Sequence, residues 1–162
     1  MFILSADGRN DSQFQRYWNY LESVKSAFPP NAFALASSDW YWRPSDHRCP
    51  HDAWLESVTM NENSSGEREE KRSLSLTVRL LGAYHDGYIE IFYPHVHSYK
   101  FDVWNADNGH RDWRYDELRL SSNGNLLHEI EWCALNDTGR WIIEASDLEF
   151  RWLPKISIQP SN

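Results

Sequence analysis

Asp46, His47, Cys49, His51 and Asp52 place five ligand-type side chains in one short stretch of this chain. Imidazole, thiolate and carboxylate groups hold zinc and other borderline cations by donating lone pairs to the ion. The spacing follows no zinc-finger pattern, and a turn capped by Asp52, with His51 in ordinary hydrogen bonds, accounts for the same residues. Farther along, His95 and His97 are two residues apart, so on a continuous strand both rings face one side, as two ligands of one ion must. Pro94 weakens that strand, and alternation groups the pair with Ile91, Tyr93, Tyr99 and Phe101 on an apolar face, where histidines usually serve as hydrogen-bonded core or rim residues. His47, His51, Asp52, His95 and His97 together define one alternative reading, a metal-dependent enzyme or small-ligand pocket built on zinc or iron. The main reading requires no cofactor.

Carboxylates offer a second kind of chemistry. Glu129 and Glu131 alternate onto one strand face and Glu144 falls on the neighbouring strand, an arrangement suited to general acid–base work. Arg140, Glu149 and Arg151 join that outer face, which makes it a solvated, mixed-charge sheet surface and a candidate for partner binding. His128 shares the phase of Leu126 and Ile130 and points toward the core, away from those glutamates. The chain carries no G-x-S-x-G, no P-loop and no G-x-G-x-x-G. Nine tryptophans offer faces for stacking on sugars or bases, but in a 162-residue chain they serve first to fill a core.

The formal net charge of −8 disfavours nucleic-acid backbones, whose binding draws on Lys and Arg displacing counterions, and anionic membranes for the same reason. A charge-steered partner is therefore basic. Phe2, Ile3 and Leu4 precede Asp7 and Asp11 without a basic region, so no signal peptide is expected, and no apolar run approaches the roughly 20 residues of a membrane span. Cys49 and Cys133 are isolated thiols that fit a reducing, cytoplasmic setting, with one disulfide left open.

A single domain must position these groups. Phe14, Tyr17, Trp18, Leu21, Val24 and Phe28 recur at steps of three and four after Asp11 and Ser12, which predicts one amphipathic helix over about residues 12–28, stopped by Pro29 and Pro30. Residues 29–52 read as an irregular connection in which Phe33 to Ala36 is extended. The remainder, about residues 53–156, reads as β. A short strand from Ala53 to Met60 precedes a charged, mobile loop over 61–71, and period-two alternation begins at Ser73. Asp86-Gly87 signals a two-residue turn that sets Tyr84 against Ile89, Leu80 against Tyr93 and Val78 against His95. A three-residue loop of Ser122, Asn123 and Gly124 sets Leu120 against Leu126 and Leu118 against His128. A third turn between Asn136 and Gly139, through a loop of even length, brings Ile130 and Trp132 to Trp141 and Ile143, and the apolar phase then shifts near Ser146 and Asp147, as at a β-bulge. The expected class is α+β: a mainly antiparallel sheet of seven or eight strands, curled or as a sandwich, with one N-terminal helix. Leu80, Ile91, Ile130, Trp132, Trp141 and Ile143 are expected to share one core.

Four segments carry a resemblance: Pro50-His51-Asp52-Ala53-Trp54-Leu55, Leu80-Leu81-Gly82-Ala83-Tyr84-His85-Asp86-Gly87, His128-Glu129-Ile130-Glu131-Trp132 and Trp141-Ile142-Ile143-Glu144-Ala145-Ser146-Asp147. With them the chain resembles a group of uncharacterised bacterial proteins over roughly Pro30 to Pro154, and it is more broadly similar to small β-rich immunity proteins of bacterial toxin systems. The second resemblance implies binding and occlusion of a toxin and assigns no catalytic residue. The expectation is a non-catalytic binding protein that takes a basic protein partner through Glu129, Glu131 and Glu144. The metal reading above stands as one alternative, and a homodimeric structural module joined along an exposed sheet edge as another.

Overall fold

A computed structural model describes residues 11–103, 107, 109–133 and 138–155. Two helices, α1 (Asp11–Val24) and α2 (Pro30–Ala36), and a 3-10 turn over Asp39–Trp42 precede seven strands: β1 (Trp54–Ser65), β2 (Lys71–Leu81), β3 (Gly87–Asp102), β4 (Asp112–Leu120), β5 (Leu126–Cys133), β6 (Thr138–Ala145) and β7 (Glu149–Pro154). All the strand pairings are antiparallel, and the class is α+β and mainly β. The pairings run β1–β2–β3–β6–β5–β4 and return to β1 through the single pair Trp54–Asp112, while β7 lies beside the first half of β3. No helix among the described residues is long and apolar enough to cross a membrane. No disulfide joins Cys49, which is buried, to Cys133, which is half-buried.

Helix α1 presents the aromatic face its spacing predicts but ends at Val24, short of the expected stop near residue 28: Tyr17 and Leu21 are buried, Phe14, Trp18 and Val24 pack against the same core, and Phe28 joins that core from the turn that follows. It also closes a sheet edge. Past Asp112 no strand among the described residues pairs with β4 on its outer side, and there Tyr17 Oη accepts from Leu118 N (3.3 Å) and donates to Leu118 O (2.7 Å), while Tyr20 Oη accepts from Leu120 N (2.8 Å). Two tyrosines thus satisfy backbone groups that a neighbouring strand would otherwise pair.

The connection expected to be irregular holds a helix. Pro30 occupies the first turn of α2, where its missing N–H is no loss and its fixed φ suits a helix. The free N–H groups of Asn31 and Ala32 donate to the Asp147 carboxylate at 3.2 and 2.9 Å, so the cap comes from 115 residues downstream in the case of Ala32. The segment expected to be a mobile loop over 61–71 is also corrected: β1 runs on to Ser65, and a turn containing Gly66 (φ +94°) leads into β2. Its polar composition reflects a ribbon exposed on both faces.

Strands β2 and β3 meet with Leu80 opposite Ile89, Val78 opposite Ile91 and Leu76 opposite Tyr93. The expected pairs of Leu80 with Tyr93 and Val78 with His95 are therefore displaced, because residues 82–86 all belong to the connection. The displacement is even, so the same apolar faces still coincide. Gly87 lies outside the left-handed region; a side chain there is excluded instead by the Trp152 ring, into which a Cβ would project. The β4–β5 register matches expectation, with Leu120 opposite Leu126, Leu118 opposite His128 and Gly124 at φ +80°. So do the faces joining β5 and β6, where Ile130 opposes Trp141 and His128 opposes Ile143; the turn at 134–137 lies outside the described residues. The expected break falls between Ala145 and Glu149.

Leu80, Ile91, Ile130, Trp132, Trp141 and Ile143 belong to one buried cluster. Truncating Ile130, which is fully buried, to alanine is expected to cost about 2–5 kcal/mol through lost transfer energy and a residual cavity. Chemical denaturation checks this; a loss below about 0.5 kcal/mol, the range of surface substitutions, would contradict the placement of the strand face.

Candidate docking surface

Polar side chains of β4 and β5 are buried on both faces of the sheet. On the core face, Tyr93 Oη donates to His128 Nδ1 (2.6 Å) and His128 Nε2 donates to Asp116 Oδ2 (3.0 Å). Asp116 also accepts from Tyr41 Oη (2.6 Å) and Trp113 Nε1 (2.9 Å), so its carboxylate is fully engaged. The order of groups is that of a proton relay, but Tyr93 and His128 are inaccessible, and the cavity touching Asp116 has a volume of about 20 Å³, room for one water. This network therefore specifies the core packing rather than offering a substrate a place to react. Burial first, and then the Asp116 carboxylate, push the Tyr41 and Tyr93 hydroxyls well above the usual tyrosine range.

The opposite face corrects the sequence reading of the glutamates. Glu129 does alternate outward, opposite Glu117, yet it is 1% exposed and ion-paired to both Arg119 and Arg140. Arg119 Nε lies 3.1 Å from Glu117 Oε1, extending the cluster. Glu131 is half-buried. Glu144 is also half-buried and serves the β4–β5 turn, accepting from Ser121 Oγ (2.7 Å) and Asn125 Nδ2 (2.9 Å), bonds that draw its carboxyl below the usual range. The three glutamates do not form one solvated surface.

The metal-type residues are likewise dispersed. His47 Nδ1 donates to Asp86 Oδ2 (2.5 Å), and His51 Nδ1 lies 3.0 Å from Asp52 Oδ1. Asp46 is held by Arg48, whose side chain and backbone lower its pKa to about 2. His95 and His97 begin eight residues beyond Gly87, roughly 26 Å along a strand rising about 3.3 Å per residue. Among the described residues no group of three or more His, Cys, Asp or Glu is arranged to hold an ion, so the five-residue site is not formed.

What the fold does gather is an exposed aromatic patch where the β2–β3 connection meets the start of β1. Trp54 and Tyr84 are 48% and 49% exposed, yet neither is loose. Trp54 Nε1 donates to Asp112 Oδ1 (2.7 Å) and its ring meets the His85 ring at 4.8 Å. Tyr84 Oη donates to Pro44 O (3.2 Å), and the His47 ring stacks flat on Tyr84 at 4.0 Å. The carboxylates of Asp52 and Asp86 are 56% and 47% exposed beside these rings. Beyond Trp54 a groove of about 450 Å³ is lined by Leu55, Gly109, His110, Arg111 and Asp112. His110 packs edge-on against Trp141 (4.9 Å), and burial lowers its pKa.

Backbone strain concentrates in the same place. Of the four described non-glycine residues at positive φ, three border Trp54: Asp52 (+63°), His85 (+58°) and Arg111 (+65°). Such conformations cost of order 1–3 kcal/mol each and persist where the surroundings over-determine them. The sequence marks His47 and Asp52 as ligand-type residues and Asp86 as a turn residue, whereas the rings of Trp54 and Tyr84 are hidden among 24 aromatic residues. Compared with family models, curated proteins and solved structures, the chain shows no match in any of the three.

Proposed function

We propose that this chain is a non-catalytic binding protein that docks a basic protein partner on the patch around Trp54 and Tyr84. The observation that carries the reading is the coincidence of two half-exposed, hydrogen-bonded aromatic rings with three strained backbone positions. Fixed aromatic side chains lose little entropy on binding and dominate interface energetics. Their faces attract Lys and Arg, and Asp52 and Asp86 supply the opposite charge at the rim. The net charge of −8 then steers a basic partner from a distance. A bacterial toxin occluded in the cytoplasm is the partner class that the sequence resemblance suggests.

Affinity capture on immobilised protein, followed by titration of the purified partner, tests this. The partner is expected to bind faster at low salt, where the Debye length exceeds its roughly 8 Å at physiological ionic strength. Truncating Trp54 or Tyr84 to alanine is expected to weaken binding by about 30-fold, the loss of one hot-spot side chain. A partner that binds the double variant as tightly as the wild type would overturn the assignment of the patch. A self-associating chain with no basic partner, shown by light scattering, would instead favour pairing along β1, whose outer edge past Trp54 has no partner strand among the described residues.

A further inference from the structure

His95 and His97 lie where β3 departs twice from regular pairing. Between the pairs Leu76–Tyr93 and Leu74–Val96, β3 holds one residue more than β2, which places a bulge at Pro94-His95. Between Val96–Ala145 and Ser98–Glu144 it again holds one residue more than β6, a second bulge at His97. Ser146 N donates to His95 O (2.9 Å) and secures the first irregularity. Val96, between the two histidines, is buried, so the side chains on either side are turned outward. Bulges commonly re-aim side chains in this way. The expectation that both histidines continue the apolar face of Ile91 and Tyr93 is thus corrected: both are exposed.

We propose that His95 and His97 form a bidentate surface site for a borderline divalent cation of the Cu2+, Ni2+ or Zn2+ type. Their ring centres are 5.0 Å apart, with planes inclined at 42°. An ion bound at a metal–nitrogen distance of about 2.1 Å sits roughly 3.2 Å from each ring centre, so two imidazoles sharing it at about 90–109° have centres about 4.5–5.2 Å apart. The observed spacing falls inside that window. Neither imidazole makes a hydrogen bond or ion pair among the described residues, in contrast to His47, His51 and His128. The carboxylate nearest along the ladder, Glu144, is occupied by the β4–β5 turn and Ser98. The protein therefore supplies two ligands, and water or an exogenous donor completes the shell. Imidazole donors favour these cations over Mg2+, whose preference is for oxygen.

Titration of the full chain with Cu2+, followed by calorimetry and by the nitrogen hyperfine pattern in electron paramagnetic resonance, reads the site directly. One Cu2+ per chain is expected, bound more tightly than Ni2+ and unaffected by excess Mg2+. His95→Ala and His97→Ala are each expected to weaken Cu2+ binding by about tenfold or more, while the His47→Ala/His51→Ala variant retains it. Both positions are exposed, and circular dichroism of each variant checks that the fold persists. Failure to bind one equivalent of Cu2+, or undiminished binding in the His95→Ala/His97→Ala double variant, would overturn the proposal. The site stands apart from the Trp54 patch, so failure of either proposal leaves the other intact.

Discussion

Replacing Glu129 by lysine is expected to destabilise the protein strongly, although simple strand alternation marks Glu129 as a surface residue. Its carboxylate is 1% exposed and holds Arg119 and Arg140 at once. Removing one member of a buried ion pair costs about 3–5 kcal/mol when the remaining charge is left uncompensated; here Arg119 keeps Glu117 and Arg140 reaches solvent, which places the loss toward the lower end of that range. Reversing the sign adds repulsion in the same low-dielectric volume. Against a total stability of about 5–15 kcal/mol for a domain, that loss is a large fraction of the whole. Glu144→Lys is the matching control. Glu144 is half-buried, its oxygens meet neutral donors from Ser121 and Asn125, and its reversal disturbs one turn. Guanidinium denaturation should therefore show a large drop in midpoint for Glu129→Lys, with Glu129→Ala close behind, and a small one for Glu144→Lys, at similar slopes. Equal effects at the two positions would refute the buried cluster. Loss of partner binding in a folded Glu129→Lys protein would restore the sheet-face interface.

Much of the β architecture is legible because its determinants are local. Gly124 in the left-handed position and the alternation on both flanks fix Leu118 against His128 with a single solution. The Asp86-Gly87 dipeptide is a weaker guide. There the parity survives and the loop length does not, since residues 82–86 form a longer connection with His85 at φ +58° and Gly87 serves the Trp152 ring rather than a turn. Helix α2 is illegible for a different reason: its cap, Asp147, is distant in sequence, and two consecutive prolines read as a stop although the second begins a helix.

The candidate sites divide along the same line. Alternation assigns Glu129 to the correct face, but whether a face is wet depends on what covers it, and period-two patterns carry no such information. Asp116 was detectable in principle. It has the phase of Leu118 and Leu120, so a carboxylate stood at a core position near His128 across a register that could be read, and a buried carboxylate needs such partners. The Trp54–Tyr84 patch was not detectable, because exposure of an aromatic ring is a property of the assembled surface. The histidine pair shows both sides at once. The two-residue spacing correctly places His95 and His97 together, and the bulges that turn them outward depend on the registers with β2 and β6.

Alkaline pH is expected to destabilise the protein steeply through Tyr17, Tyr41 and Tyr93, three of its buried tyrosines. Tyr17, Tyr41 and Tyr93 are almost fully inaccessible, and burial is the main force raising their hydroxyl pKa values well above 10.0; the carboxylates of Asp116 and, for Tyr17, Glu117 add to it. Each hydroxyl also donates a hydrogen bond that ionisation would abolish: Tyr17 to Leu118 O, Tyr41 to Asp116 and Tyr93 to His128. A folded-state pKa above the unfolded value means that the folded chain keeps protons the unfolded chain releases. The stabilisation is therefore complete below the unfolded value near 10 and is lost as pH climbs from there toward the folded value. Each such group contributes a slope of about 1.4 kcal/mol per pH unit in that window, so the three together give about 4 kcal/mol per unit. Denaturant melts at successive pH values above 10 should show that slope. Tyr17→Phe should remove about a third of it whatever its effect at neutral pH. Tyrosinate absorbance offers an independent check, because the hydroxyls of Tyr17, Tyr41 and Tyr93 should ionise only in step with unfolding, detected as loss of near-ultraviolet circular dichroism. If all eight tyrosines titrate smoothly while that signal stays native, the hydroxyls are accessible and the network around Asp116 is not closed to solvent.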